Sequence, residues 1–262
     1  MSRAAEGAPA RTRFTAAEWA LVERLRTPMA VQRYLNGLPY NVEPRGETLR
    51  SFRGVVRSGT AHCFEAAMFA AVVLEQHGYP PLVLSFESID HLDHVLFVYR
   101  HATGWGSVAR SRDPGLHGRR PMFATPRALA LSYVDAYVDY TGGVTGYAVA
   151  DLRALGTFDW RLSPRFVWRA EQYLLDYPHR PIRPGARRID SLRRRYAEFR
   201  AANDDLKPVD YVGRARWTPL PAVFRAAEGL PFAGPLARRS RSRAGGRRRQ
   251  AVIRSQAAKV VP

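Results

Sequence analysis

The sequence has 262 residues, of which 46% are hydrophobic and 11% aromatic, values typical of a folded protein with a substantial core. Its single cysteine excludes a fold held together by internal disulfides. The longest uncharged apolar run, 66–74, has nine residues, which is too short for the roughly 20-residue span of a transmembrane helix. With no apolar secretion signal in its first residues, we expect a cytoplasmic protein without membrane contact.

The N-terminal segment, 1–58, is predicted to be helical. Thr15 and Glu18 have capping-box spacing and precede apolar residues at helical intervals, so a short amphipathic helix begins here. Pro28 is expected to end that helix, because proline cannot continue it. Two further short helices are predicted, at 30–36 and 49–56.

The next segment, 59–150, has the most regular pattern in the chain. Apolar residues between 64 and 72 follow i, i+3, i+4 spacing, and Gly78 followed by Pro80 is a stop signal, which predicts a buried helix at 62–77. Runs rich in β-branched and aromatic residues then predict strands that can pair as a meander. These strands are at 81–86, 94–100 and 105–110, followed by a helix at 125–140 and a further strand at 145–152.

The C-terminal part is predicted to be a mostly helical extension at 151–235, followed by a disordered tail at 236–262. In the extension, 180–188 is interpreted as a linker and 187–204 as a charged helix with one apolar stripe. The tail carries eight Arg and one Lys without an acid, half of the net charge of +18. It contains too few large apolar groups to fold and no aromatic residues for base stacking, so we expect at most weak, non-specific polyanion binding.

The only cysteine, Cys63, is at the predicted start of the buried helix. Unpaired backbone N–H groups and the positive end of the helix dipole favour an anion there, which stabilises a thiolate. A thiolate that attacks a carbonyl needs a base to handle the proton and a third group to orient that base. His94, at the start of the second strand, is our candidate base. Asp113, after the third strand, is our candidate orienting group.

Two other histidines are alternative bases. His91 lies close to His94 in the sequence, and His62 is adjacent to Cys63. Consecutive helical residues point about 100° apart, so we expect His62 to be a poor direct partner of the thiol.

These residues occur in a recognisable order. A helix carries the Cys in GTAHCFEAAMFAAVVLEQHGYPP, a strand carries the His in DHVLFVY, and an Asp follows the next strand in GWGSVARSRDPG. In this order, 59–115 resembles the core of the transglutaminase-like superfamily of cysteine enzymes. The resemblance implies a papain-like α+β fold, in which a Cys-bearing helix packs on an antiparallel sheet, with Cys63, His94 and Asp113 as the catalytic triad. It also implies acyl transfer through a thioester on a peptide or other amide substrate, without a cofactor.

Within that chemistry, hydrolysis is favoured over cross-linking, because nothing in the sequence identifies a groove for a second, amine substrate. The main alternative is an inactive module of the same fold that binds a partner through its basic surface. In that case Cys63 is an inert core residue, since cysteine is among the most buried residue types, and Asp113 is a turn residue before Pro-Gly.

Two other interpretations concern ligands. Asp90, His91, Asp93 and His94 can all bind metals, but a strand would turn the two histidines to opposite faces and no second cluster completes a tetrahedral set. We therefore predict no metal site. Four arginines flank the loop that holds Asp113 and could accept an anionic substrate group, but a solvated basic rim is the expected arrangement. These arginines are Arg110, Arg112, Arg119 and Arg120.

Overall fold

The computed structural model describes residues 7–88, 94–111, 114–137, 143–183 and 185–203. Within these residues the fold is α+β, with seven α-helices and one five-stranded antiparallel sheet. The helices are α1 (Ala16–Arg24), α2 (Pro28–Gly37), α3 (Phe52–Ser58), α4 (Cys63–Glu75), α5 (Pro126–Leu131), α6 (Trp168–Leu175) and α7 (Ala186–Ala201). The strands are β1 (Leu82–Ser88), β2 (Val95–His101), β3 (Gly104–Val108), β4 (Val144–Asp151) and β5 (Arg180–Pro181).

The N-terminal helices begin where their capping residues predict. The Thr15 hydroxyl accepts from the Glu18 amide at 3.2 Å, and the Glu18 carboxylate accepts from the Thr15 amide at 2.8 Å, so the predicted capping box is confirmed. Pro28 does not end α1, which stops at Arg24. It is instead the first residue of α2, capped by Thr27, because proline has no N–H to leave unpaired at that position.

Helix α4 is the centre of the core. Every residue of the helix after Cys63, from Phe64 to Glu75, is buried, which explains why the helix is apolar on all sides. The helix packs on β2 and also contacts the N-terminal helices α1, α2 and α3. It therefore lies between much of the sheet and the N-terminal helices, although α2 also contacts β3 directly.

The sheet has the order β3-β2-β1-β4-β5. The predicted meander of three strands is confirmed, because β2 pairs antiparallel with both β1 and β3. The fourth strand, predicted at 145–152, pairs along the whole other edge of β1. Alternating residues of β1 and β2 belong to two clusters, one with α4 and one with α5, so both faces of these strands are buried. Burial on both sides accounts for their continuous apolar runs.

Three later elements differ from the predictions. Helix α5 is much shorter than the predicted 125–140, since Ser132 to Ala136 form turns and 138–142 lie outside the described residues. Part of the predicted linker forms β5, which pairs antiparallel with β4. Helix α6 had no specific prediction, whereas α7 matches the predicted charged helix. The Arg-rich tail, 236–262, lies outside the described residues.

One hydrophobic cluster joins residues from 14 to 174 and therefore crosses the predicted boundaries at 58/59 and 150/151. Trp160, fully buried in the extension, belongs to the same cluster as Phe52 and Phe69. The N-terminal helices and the start of the extension thus support the α4 layer directly. Of the helices described here, none is both long and apolar enough to cross a membrane.

Candidate active site

Cys63 is the first residue of α4 and is only half-buried, in contrast to the rest of the helix. The chain reaches this point through Gly59, whose positive φ of 66° ends α3 and turns the backbone. Ala61 then pairs with the loop after α2, accepting from the Asn41 amide at 3.2 Å and donating to the Pro39 carbonyl at 3.4 Å. These bonds fix the backbone immediately before Cys63, so the thiol occupies the N-terminal end of a rigid helix.

His94 directly precedes β2 and is 3% exposed. Its carbonyl accepts from the Phe86 amide at 2.9 Å, which extends the β1–β2 pairing by one residue and places the ring beside the sheet. The ring is stacked parallel to Phe86, with centroids 6.3 Å apart, and Tyr133 and Tyr137 lie at 6.2 and 6.4 Å. These aromatic contacts leave the imidazole little freedom to rotate.

The structure brings Cys63 and His94 together, because their side chains form a hydrogen bond. Helix α4 and strand β2 run in the same direction, and their N-terminal ends therefore meet. The other ring nitrogen, Nε2, is 2.9 Å from the Leu116 carbonyl oxygen. A carbonyl only accepts hydrogen bonds, so Nε2 carries a proton and Nδ1 is the nitrogen left for the thiol.

The carbonyl of Leu116 thus orients His94 in the way that sequence analysis assigned to Asp113. Asp113 lies outside the described residues, and its role stays a prediction. The same holds for the alternative base His91. Leu116 could not be found from the sequence, because a main-chain carbonyl gives no residue-type signal.

His62 also bonds to Cys63 through its side chain, contrary to the expectation that it would be a poor direct partner. That expectation assumed two helical residues, but His62 is the N-cap of α4 and has an extended backbone (φ −95°, ψ −172°). Its side chain therefore leaves the backbone in a different direction from that of a helical residue and reaches the thiol. The adjacency of His and Cys in the sequence was a signal of this contact, and the assumed backbone conformation hid it.

The two imidazoles determine the ionisation of the thiol. Burial alone would raise the pKa of Cys63, but the hydrogen bonds with His62 and His94, and the positive charges on both rings, hold that pKa well below its usual range. For His62, burial alone would lower the pKa. The bond to Cys63 and its negative charge, together with Glu65 and the Thr48 carbonyl, raise the pKa of His62 to about 9. A thiolate beside an imidazolium is therefore the favoured state at neutral pH.

The loop that carries Leu116 is held by Arg119, which is completely buried. Its guanidinium donates to the carbonyls of Gly115 and His117, on either side of Leu116, and lies 3.9 Å from the ring centre of Tyr133. The expectation of a solvated basic rim is therefore wrong for Arg119. Arg112 lies outside the described residues.

Arg110 connects this loop to the loop after α2. Its guanidinium donates to the Leu38 carbonyl at 3.2 Å and to the Ser111 carbonyl at 2.7 Å, and it lies over the ring of Tyr40. It also lies 3.2 Å from Nε2 of His117. The pKa of His117 is lowered to about 4, mainly by burial. Nearby positive charges, including Arg110, lower it further, and the hydrogen bond with the Ser111 carbonyl raises it in part. His117 is therefore neutral near pH 7.

A cavity of about 910 Å³ lies elsewhere in the fold. Its lining includes His77, Tyr79, Tyr99 and Arg100, which follow α4 and end β2. The 13 residues of α4 span about 20 Å, so this cavity is at the opposite end of the helix from Cys63. It is not part of the thiol site.

Comparison with known proteins does not assign the chain to a family. No protein-family model matches the chain, and no curated protein matches it either. We therefore base the proposed function on the residues around Cys63.

Proposed function

We propose that the chain is a transglutaminase-like cysteine enzyme with a papain-like core, which acts on an amide bond through a thioester. Cys63 is the nucleophile and His94 is the general acid and base. The observation that carries the proposal is the Cys63–His94 hydrogen bond at the start of α4, made by an imidazole whose other nitrogen is fixed by the Leu116 carbonyl at 2.9 Å. Nucleophile, base and orienting group are the three parts that thiol acyl transfer requires.

In the first half of the reaction, the Cys63 thiolate attacks the amide carbonyl carbon and forms a C–S bond. In this mechanism the backbone N–H of Cys63, at the helix N-terminus, donates to the oxyanion. Protonated His94 then gives its proton to the nitrogen as the C–N bond breaks. The amine leaves, and a thioester and neutral His94 remain.

In the second half, neutral His94 takes a proton from water while the water oxygen attacks the thioester carbonyl. The C–S bond breaks, the acid product leaves, and Cys63 returns as a thiolate beside protonated His94. An amine in place of water would give a new amide by the same steps. We favour water, because the sequence identifies no groove for an amine substrate.

An activated ester tests this chemistry without knowledge of the natural substrate. With p-nitrophenyl acetate, we expect an acetyl adduct on Cys63 by intact mass and continuous release of nitrophenol. In His94→Ala the adduct should accumulate and turnover should fall by at least about 100-fold, since general base catalysis contributes that much or more. Cys63→Ser should give no adduct.

His101→Ala is the matched control. His101 is an exposed histidine at the last position of β2, the strand that His94 precedes, and is about 20 Å from the thiol along that strand. We expect its replacement to leave turnover unchanged. Equal turnover in His94→Ala and wild type would contradict the proposal and would favour the inactive, partner-binding module.

A further inference from the structure

His62 makes contacts that a simple helix cap does not need. Its Nε2 lies 2.7 Å from the Thr48 carbonyl oxygen, which only accepts, so this nitrogen carries a proton. The bond to the Cys63 side chain then uses the other nitrogen. When Cys63 is ionised it can only accept, so both ring nitrogens then carry a proton and the ring is a cation.

Acidic side chains surround the same ring. The Glu43 carboxylate is 3.5 Å from Nε2 and that of Glu65, which is completely buried, is 3.7 Å away. Both favour a positive charge on the ring. Arg50 opposes this in part, because its guanidinium lies 3.5 Å from Glu65. His94 is the other ionisable ring nearby, bonded to the same thiol.

The buried carboxylate of Glu65 fixes this arrangement. It accepts from the backbone amide of His62 at 3.2 Å, from the Thr48 hydroxyl at 2.9 Å and from the Asn41 amide group at 3.0 Å. Asn41 also donates to the Thr48 hydroxyl at 2.7 Å. The His62 backbone and the side chain of Thr48, whose carbonyl faces the ring, are thus tied to one carboxylate on α4.

We propose that His62 is a fixed imidazolium that keeps Cys63 ionised, independently of the protonation state of His94. The inference rests on the proposed function, since it assigns a role to a further residue at the same nucleophile. It separates two tasks that a single imidazole would have to combine. His62 holds the thiolate, and His94 is left to carry the proton between water, substrate and product.

The pH dependence of alkylation tests this assignment. In wild type, we expect iodoacetamide to label Cys63 with a midpoint well below 8.5, the value of an ordinary thiol. His62→Asn removes the cation and retains a residue that caps helices well. Its midpoint should rise by at least one unit, which lowers labelling about tenfold at any pH clearly below the wild-type midpoint. His94→Ala should still be labelled at low pH.

The opposite pattern would overturn the inference. If His62→Asn kept the wild-type midpoint while His94→Ala lost low-pH labelling, His94 alone would ionise the thiol. His101→Asn serves as the matched control and should not change the midpoint. Turnover of p-nitrophenyl acetate distinguishes the two proposals, because a defect there in His94→Ala supports the proposed function whatever the labelling of His62→Asn shows.

A measurement on the wild-type protein avoids dependence on the folding of a variant. The ring signals of His62 can be followed by NMR between pH 5 and pH 10. We expect His62 to stay charged at neutral pH and to lose its charge with a pKa of about 9. Loss of the His62 charge below pH 7 would also overturn the inference.

Discussion

Replacing Cys63 with serine should lower the pKa of His62, because it removes the negative charge beside the ring. In the native protein, burial alone would lower this pKa, but the bond to Cys63 and its charge, with Glu65 and the Thr48 carbonyl, raise it to about 9. The serine hydroxyl remains neutral, so burial is opposed by the two weaker contributions alone. We expect the pKa to return to about 6.5, the ordinary value for histidine, or below.

The size of this change follows from the structure. A fall from about 9 to about 6.5 corresponds to roughly 3 kcal/mol at about 1.4 kcal/mol per pKa unit. Two unit charges about 4 Å apart interact by about 4 kcal/mol at the effective dielectric of a partly screened protein site. The His62 side chain is 11% exposed, so solvent weakens the pair much less than it weakens a surface salt bridge.

The same free energy must appear on the thiol. The free energy by which the thiolate stabilises the charged form of His62 equals the free energy by which charged His62 stabilises the thiolate, because the coupling between two titrating groups is reciprocal. The rise in the thiol pKa in His62→Asn should therefore match the fall in the His62 pKa in Cys63→Ser within about one unit. Two independent variants thus measure one quantity.

The assay is an NMR titration of the imidazole signals in wild type and Cys63→Ser. The signals of His101, exposed at the far end of β2, provide a control within each spectrum, and the replacement of Cys63 should leave them unchanged. A His62 pKa that stays near 9 in the serine variant would refute the reasoning. The charge would then come from Glu43 and Glu65, and not from a thiolate.

Two further predictions concern the site loop and the N-terminal layer. A side chain at Gly118 would place its Cβ 2.5 Å from the Ser107 carbonyl oxygen, so Gly118→Ala should displace the loop that carries Leu116. We expect this variant to turn over p-nitrophenyl acetate more slowly, while Cys63 is still alkylated at low pH. Burial alone would raise the pKa of Glu18, but Arg53 lowers it, so the ionised carboxylate contributes stability that is present above about pH 4.5 and lost as the pH falls below that value. In Glu18→Gln, the urea midpoint should therefore be lower than wild type at pH 7, with a smaller difference at pH 3.5.

Most of the fold could be predicted because its signals are local. The apolar α4 segment and the strand runs have their own periodicity, and Thr15 and Glu18 form their bonds within one helical turn. The errors occur where pairing is not local. Strand β5 forms where Arg180 and Pro181 pair with Tyr147 and Gly146 of β4, more than 30 residues earlier in the chain. Helix α6 has only Ala170 and Leu174 buried, which is too sparse a stripe to be recognised.

The positions of Cys63 and His94 could be predicted for the same reason, whereas the contacts around them could not. Cys63 and His94 each stand at the start of a well-marked element, and that placement could be read from the sequence. The contact of His62 required the extended backbone at the helix cap. The role of Leu116 lies in a carbonyl oxygen, and the burial of Arg119 depends on Tyr133 and the 115–117 backbone, which the sequence does not place beside it.

The helix N-terminus alone cannot account for the ionised thiol. A helix dipole stabilises a nearby charge by about 0.3–1 kcal/mol, and by about 2 kcal/mol in the best partly buried cases, which lowers a thiol pKa by at most about 1.5 units. Burial opposes this at Cys63, because on its own it would raise the pKa of the thiol. The two imidazoles must therefore supply most of the stabilisation. Each is fixed by a carbonyl from a different loop, Thr48 for His62 and Leu116 for His94, so turnover of a substrate depends on both loops staying in place.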